Sequence, residues 1–466
     1  MKKLDYHATN SVEELFRELP RPTINRLGKE VDRLARLHGL TYTDEAGKTA
    51  LITLTLRPRL LPVKMRNSLS QTVRIFDGAF RKIANLYFED RSLAELFPFS
   101  PRELDWLSIL QEPDYVPGRI ASRWDANTAF GAKDWKEGFS VFEVNGVGVG
   151  GLWYGPASAD VALKTVIPEL QRIDRRFRAV PNHDMRRLLL GILLAQRRKL
   201  RRTRGVIALI MEKASGSNFI EFECLAKLYR KLGYPSIVAE PTDLRLKGDD
   251  LVARGKTVDI IYRDTTLSEL CLLEEKGHNL EAFKEAFRRG QVVSSLEGEF
   301  DHKSAFELFT NPLYEKAFTP KERALFKRHI LWTRLLRETK TTDPQGRSID
   351  LIPFVLKQQT QLVLKPNRLF GGKGVVLGQE VKRPAWEKKI EAVLQEPGDW
   401  VIQRLGKLRK KRFFRPDRRG PREKDLYVVS GFFSTEKGLG IVGRMSERTV
   451  VNVARRGGLT PILLTR

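Results

Sequence analysis

Apolar positions along the chain fall into two rhythms, and the alternation between them outlines the architecture. Ile24, Leu27, Val31, Leu34 and Leu37 recur at spacings of three and four, the stripe of an amphipathic helix, with His38-Gly39 as its stop. Ser11-Val12-Glu13-Glu14 reads as a capping box opening an earlier helix. Ala50 to Leu56 alternates as a strand, and a second helical pattern runs from about Ser68 to Phe88. Phe139 to Gly146 alternates again, which puts Val141, Glu143 and Asn145 on one face and Phe142 and Val144 on the other. A helix over about 184–204 turns basic from Gln196 to Arg204.

Beyond it the rhythm becomes strand, helix, strand. Gly205 to Met211 is a continuous apolar run, followed by a helix from about Phe219 to Leu232 that Ser217 or Asn218 would cap. Ser236 to Glu240 and Val258 to Tyr262 supply two more strands, and these lengths predict a βαβ unit in a parallel sheet. Residues 264–340 read as helical, with a helix start at Asp301-His302-Lys303-Ser304, where Asp301 or Ser304 would cap. Apolar runs at Gln361 to Leu364 and Val375 to Leu377 flank Gly371, Gly372, Lys373 and Gly374, a hairpin with a glycine-rich tip. Trp400 to Leu405 and Asp425 to Ser430 resume the strand pattern.

At 466 residues the chain exceeds one ordinary core, and 41% apolar with 30% charged residues is a globular balance. No apolar run reaches the ~18–20 residues of a membrane helix. The first ten residues lack the apolar segment of a secretory signal. Cys224 and Cys271 stand far apart, which fits buried thiols in a reducing compartment, so a cytoplasmic protein with no membrane partner is expected. The net charge of +26 points to anionic partners, whether a small anionic substrate or nucleic acid, and says nothing of fold. Ten basic residues crowd 407–424, interrupted by Phe413 and Phe414. Pro416, Gly420 and Pro421 favour a lid or solvated loop there over a nucleic-acid surface.

Two places carry candidate chemistry. Glycines at 371, 372 and 374 let a backbone approach polyphosphate closely, and Lys365 at the preceding strand end supplies a point charge for it. Asp125 and Glu143, eighteen residues apart, leave room for one strand, a turn and a second strand. With the amide oxygen of Asn145 they form a hard-oxygen set suited to Mg²⁺ against phosphates. Each piece alone is as well explained by a plain hairpin or a solvated strand face. None of the six histidines has ligand spacing.

Together, Lys365-Pro366 with its glycine loop, Arg123-x-Asp125 and Glu143-x-Asn145 resemble the ATP-grasp ligases. The metal motifs precede the lysine by more than two hundred residues, which is similar to the circularly permuted branch containing glutathionylspermidine-synthetase-like carboxylate–amine ligases. Gly443 to Gly458 adds an arginine strand followed by N-x-x-x-G-G. The resemblance implies an α/β (α+β) fold: a circularly permuted ATP-grasp lobe, a Rossmann-like preceding domain and an N-terminal helical region. The divisions expected are 1–110, helical; 111–204, the permuted metal-binding part; 205–300, Rossmann-like; and 301–466, the nucleotide lobe.

It further implies ATP and two Mg²⁺ ions, with Asp125, Glu143 and Asn145 as metal ligands and Arg123 and Arg444 at the transferring phosphoryl group. ATP would meet Lys365, Gly371, Gly372, Gly374, Gln403, Lys303 and Asn452. The usual Glu after Gln403 is replaced by Arg404, and Asp425 is a lesser metal or ribose candidate. The activity implied is amide formation between a carboxylate and an amine through an acyl phosphate. Rival readings are a kinase without ligation and a basic nucleic-acid-binding protein with a degenerate lobe.

Overall fold

The computed structural model describes residues 8–43, 49–130, 132, 134–213, 219–396, 398–407, 410–415, 420–451 and 457–465. Three larger sheets organise the molecule. The first is built around three parallel strands in the order 236–239, 206–210, 256–263. A short strand at 292–293 adds parallel to 256–263, and the antiparallel pair 244–247 and 250–253 extends the same edge. Every residue of Val206–Ile210 is buried, as a strand covered on both faces requires. Helix Phe219–Lys231 makes the crossover, so the strand–helix–strand rhythm folds as a parallel unit. Its proposed caps, Ser217 and Asn218, lie outside the described residues.

The second sheet is antiparallel, in the order 333–335, 400–404, 362–366, 376–377. The third runs 53–54, 458–459, 438–446, 422–435, 123–127, 140–145, with 410–415 added on 422–435. A smaller sheet pairs 59–62 in parallel with 462–465, which also pairs antiparallel with 180–181. Strands from the N-terminal region thus sit beside strands from the chain's end. Among the described residues no helix is long and apolar enough to cross a membrane, and both cysteines are free.

Strand 123–127 is anchored from behind by Trp124. Its indole is fully buried against Phe76, Phe80, Phe306 and Phe309. Its Nε1–H donates to Asp77 at 2.7 Å. Aromatic packing on this scale fixes the strand, and Asp125 then necessarily points to the opposite face.

Several local expectations are corrected. The first helix spans Ala8–Arg17, so Ser11 lies inside it and not at its cap. The run 50–56 splits into Thr49–Leu51, paired with Thr41–Thr43, and Thr53–Leu54, paired with Gly458–Leu459. Two partners on different sheets compete for one alternating segment, and the backbone changes partner at Ile52, whose amide donates to the carbonyl of Leu40. The helix of 68–88 begins at Val63 and breaks at Lys82, whose amide bonds the carbonyl of Ala79 in a tightened turn. Neither Asp301 nor Ser304 caps the helix Ala305–Thr310; Ser304 donates its hydroxyl to the carbonyl of Leu96.

The basic segment 407–424, expected as a lid or solvated loop, is described at residues 407, 410–415 and 420–424. Its described residues form strand Lys410–Arg415 against Arg422–Thr435. Phe413 is buried under the Arg57 guanidinium, and Phe414 packs on Phe16. The Phe413 ring is thereby closed to a base, and Phe414 is half-buried.

Candidate functional site

Strands 123–127 and 140–145 pair with Asp125 opposite Glu143, but Ala126 stands opposite Val141. Phe142 is therefore an extra residue, and this β-bulge breaks the strict alternation expected for the segment. Val141 joins Val144 in the core, while Phe142, Glu143 and Asn145 all line one cavity. The bulge re-aims the side chains.

Asp125 is fully buried and held from three sides. Arg123 donates Nε to one carboxylate oxygen at 2.9 Å and Nη2 to the other at 3.0 Å. Arg444 Nη2 reaches the second oxygen at 2.7 Å, and Asn145 Nδ2 donates to it at 3.3 Å. Burial works against the Asp125 charge, but the two guanidinium groups outweigh it and hold the carboxyl below its usual range. Arg444 comes from strand 438–446, with strand 422–435 lying between it and Asp125. Its reach depends on Gly431, which sits opposite Asp125, where a Cβ would stand 2.8 Å from Asp125 Oδ1 and 2.6 Å from Arg123 Cδ.

The second sheet brings Lys365 to the same cavity. Its ammonium donates to Gln403 Oε1 at 2.7 Å and lies 5.2 Å from the ring centre of Phe142. Burial lowers its pKa to about 8, with Glu143 opposing and Lys303 reinforcing that shift. Gln403 is fully buried and donates Nε2 to the carbonyl of Phe142 at 3.2 Å and to Thr333 Oγ1 at 2.9 Å. It therefore works first as a brace for Lys365. Lys303 Nζ stands 3.4 Å from Glu143 and donates to the carbonyl of Leu369 at 2.7 Å.

The glycine tip closes over these groups. Gly371, Gly372 and Gly374 all have φ near +70°, in the left-handed region that side chains avoid. A Cβ on Gly374 would meet Pro366 at 2.6 Å as well. Gly371 and Gly372 line the cavity, together with Thr449, Val450 and Val451 from the far end of the chain.

Sequence reasoning missed the residues that hold this assembly in place. Asp301 accepts the amides of Gly146 and Val147 at 2.7 and 3.4 Å, just past Asn145. Burial pushes its carboxyl up to about 7, with Glu299 adding to the effect. Glu221 accepts from Gly151 at 3.0 Å and Trp153 at 2.6 Å, and burial raises it to about 7 as well. Asn367, fully buried, accepts the Ser304 amide at 2.9 Å and donates to the carbonyl of Gly398 at 2.9 Å, joining the lysine strand to the Lys303 segment. Only the run of glycines from Gly146 to Gly151 hinted at a loop in need of such anchors.

Arg123, Glu143, Asn145, Lys303, Lys365, Gly371, Gly372, Gln403 and Arg444 thus line one cavity, with Asp125 behind them and Gly374 shaping the tip. Asn452 lies outside the described residues. Asp425 belongs elsewhere: it is exposed, opposite Arg412 on the outer hairpin, and is no metal or ribose candidate. Among possible metal donors, the carboxylate of Glu143 and the amide oxygen of Asn145 suit a hard cation. Both Asp125 oxygens are shared among Arg123, Arg444 and Asn145.

No protein-family model and no curated protein matches the chain. Among solved structures it is similar to a glutathione synthetase like-effector (GSS30) from Globodera pallida, solved in the apo form. The TM-score is 0.66 at 12% identity, over 96% of this chain and 98% of that one. The fold is accordingly a mixed α/β architecture of glutathione-synthetase-like form.

Proposed function

We propose that the protein is an ATP-dependent carboxylate–amine ligase on a circularly permuted ATP-grasp architecture, ADP-forming and acting in the cytoplasm. One observation carries this reading: motifs from opposite halves of the chain, Arg123 to Asn145 and Lys365 to Arg444, line a single cavity. In this reading 301–466 is the nucleotide lobe, 205–300 the Rossmann-like part, 111–204 the permuted metal-binding part and 1–110 the N-terminal region.

Lys365, Lys303 and the glycine tip would cradle the triphosphate, with Gln403 aiming Lys365 and Asn452 as a weaker phosphate contact. Glu143 and Asn145 would hold one Mg²⁺, with Asp125 behind them as the ligand that would hold a second. Bound Mg²⁺ supplies neutralisation of β- and γ-phosphate charge. Arg123 and Arg444 would then face the transferring phosphoryl group, where a planar fork of donors matches the developing charge. The substrate carboxylate attacks the γ-phosphorus, ADP leaves, and the amine attacks the acyl carbon of the acyl phosphate. The C–N bond forms as phosphate departs and the amine proton passes to solvent. Five cationic side chains around the cavity favour an anionic acid substrate.

Calorimetry of ATP binding tests this reading. Micromolar binding that requires Mg²⁺ and weakens at least tenfold in both Glu143→Ala and Lys365→Ala is the expected result. Binding indifferent to Mg²⁺ or to both substitutions would overturn it.

A further inference from the structure

The parallel sheet carries a second charged feature at the edge remote from the cavity. Val206 stands opposite Val258, and Ile207 opposite Ser236, so the segments entering these three strands lie side by side. They bring together Arg198, Arg201, Arg202, Arg204, Lys231 and Lys256. Five of the six are exposed, Arg202 is half-buried, and none has an ion pair among the described residues. Basic residues nearby are paired instead: Arg197 with Asp259, Arg254 with Asp243 and Arg289 with Glu285.

Cations at helix C-termini complement the helix dipole, and that accounts for Arg198 and Lys231 at the ends of Met185–Lys199 and Phe219–Lys231. It does not account for Arg201 to Arg204, which lie beyond the helix. Arg201 also has φ +53°, and Arg254, on the same rim, has φ +48°. Glycine or asparagine would occupy either position with less strain, yet the chain keeps an arginine at both. None of the exposed large apolar side chains lies in these segments, so nothing there would insert into a lipid surface. Four of the six unpaired cations are arginines, whose planar fork matches phosphate oxygens.

We propose that this rim is a docking surface for the phosphate backbone of nucleic acid, read without regard to sequence. It is separate from the ligase reading, because the opposite ends of the same strands face the run from Gly146 to Gly151, where the Tyr262 hydroxyl donates to the carbonyl of Val149. The experiment is fluorescence anisotropy of the full chain with labelled 20-nucleotide oligouridine RNA and mixed-sequence DNA across a salt series. Wild type binds both, with log affinity falling against log salt at a slope of about −3, as four or five phosphate contacts imply. The triple variant Arg201→Ala, Arg202→Ala, Arg204→Ala binds at least tenfold more weakly with a shallower slope. A charge-matched control, Lys357→Ala, Lys382→Ala, Lys388→Ala, stays within threefold of wild type.

Equal losses in the two triple variants would reduce the effect to net charge and overturn the proposal. So would failure of wild type to bind either oligonucleotide at low salt, or binding confined to anionic vesicles. A double variant, Arg204→Gln with Lys256→Gln, repeats the test with smaller changes should the triple variant melt early. Mg²⁺·ATP affinity, unchanged in the rim variants, reports on the cavity separately.

Discussion

At the scale of single residues, the site is governed by charges placed where water cannot reach them. Lys365 has a pKa of about 8 because it is buried, so its ammonium is partly lost just above neutrality. Mg²⁺·ATP affinity is therefore expected to decline as pH rises through about 8, while Lys365→Met binds weakly with no such limb; calorimetry at pH 7, 8 and 9 reads both. Asp301 and Glu221 behave in the opposite sense. Each is raised to about 7 by burial, so the folded chain keeps protons that the unfolded chain has released by about pH 5. Their contribution to stability is full at acid pH and is lost as pH climbs to 7. Urea unfolding should show a falling limb between about pH 4 and 7, flattened in Glu221→Gln and Asp301→Asn. Asp125→Ala would strand two guanidinium groups, Arg123 fully within the protein, at a cost of about 3–5 kcal/mol in the same assay.

At the scale of elements, the cavity depends on where strands lack or gain a residue. The bulge at Phe142 lets the adjacent Phe142 and Glu143 both face the cavity, and Gly431 leaves room beside Arg123 and Asp125. Gly431→Ala is expected to leave the sheet folded, because its φ is ordinary for a strand, but to displace Arg123 and separate Arg444 from Asp125. Mg²⁺·ATP binding should then fall roughly tenfold, about 1.4 kcal/mol, with little change in melting temperature. Asn367→Ala should do the reverse. Loss of its buried hydrogen bonds costs about 2–4 kcal/mol of stability and shows first as a lower melting temperature.

The glycine tip was legible from composition and spacing. The brace provided by Gln403, the carboxylate anchors Asp301 and Glu221, and the bulge were not, because each depends on a partner distant in sequence.

At the scale of the whole molecule, the two chain ends are structural partners. Thr53–Leu54 pairs with Gly458–Leu459, and Arg59–Pro62 with Ile462–Thr465, all in parallel. The stretch 438–446 bearing Arg444 runs directly beside the first of these pairs. Deleting 457–466 would leave strand 59–62 and the inner edge of the large sheet without partners. The truncated chain is expected to be insoluble or to melt many degrees lower, as a solubility and melting comparison would show.

The division between sequence and tertiary structure follows from range. Local periodicity determined the parallel strand–helix–strand unit, the helix Arg21–Leu37, the hairpin of 362–377 and the residue types at the site, since each rests on neighbours within a few turns or strands. Periodicity misled where a segment had two suitors, as at 50–56, and the prolines and glycine of 416–421 gave no sign that Lys410–Arg415 is a strand with Phe413 in the core. Only the tertiary structure decided that Asp125 is clamped by Arg123 and Arg444, that Lys365 rests on Gln403, and that the sheet's far edge gathers unpaired arginines. Those arrangements join residues tens to hundreds of positions apart, and no local pattern encodes which of many like residues will meet.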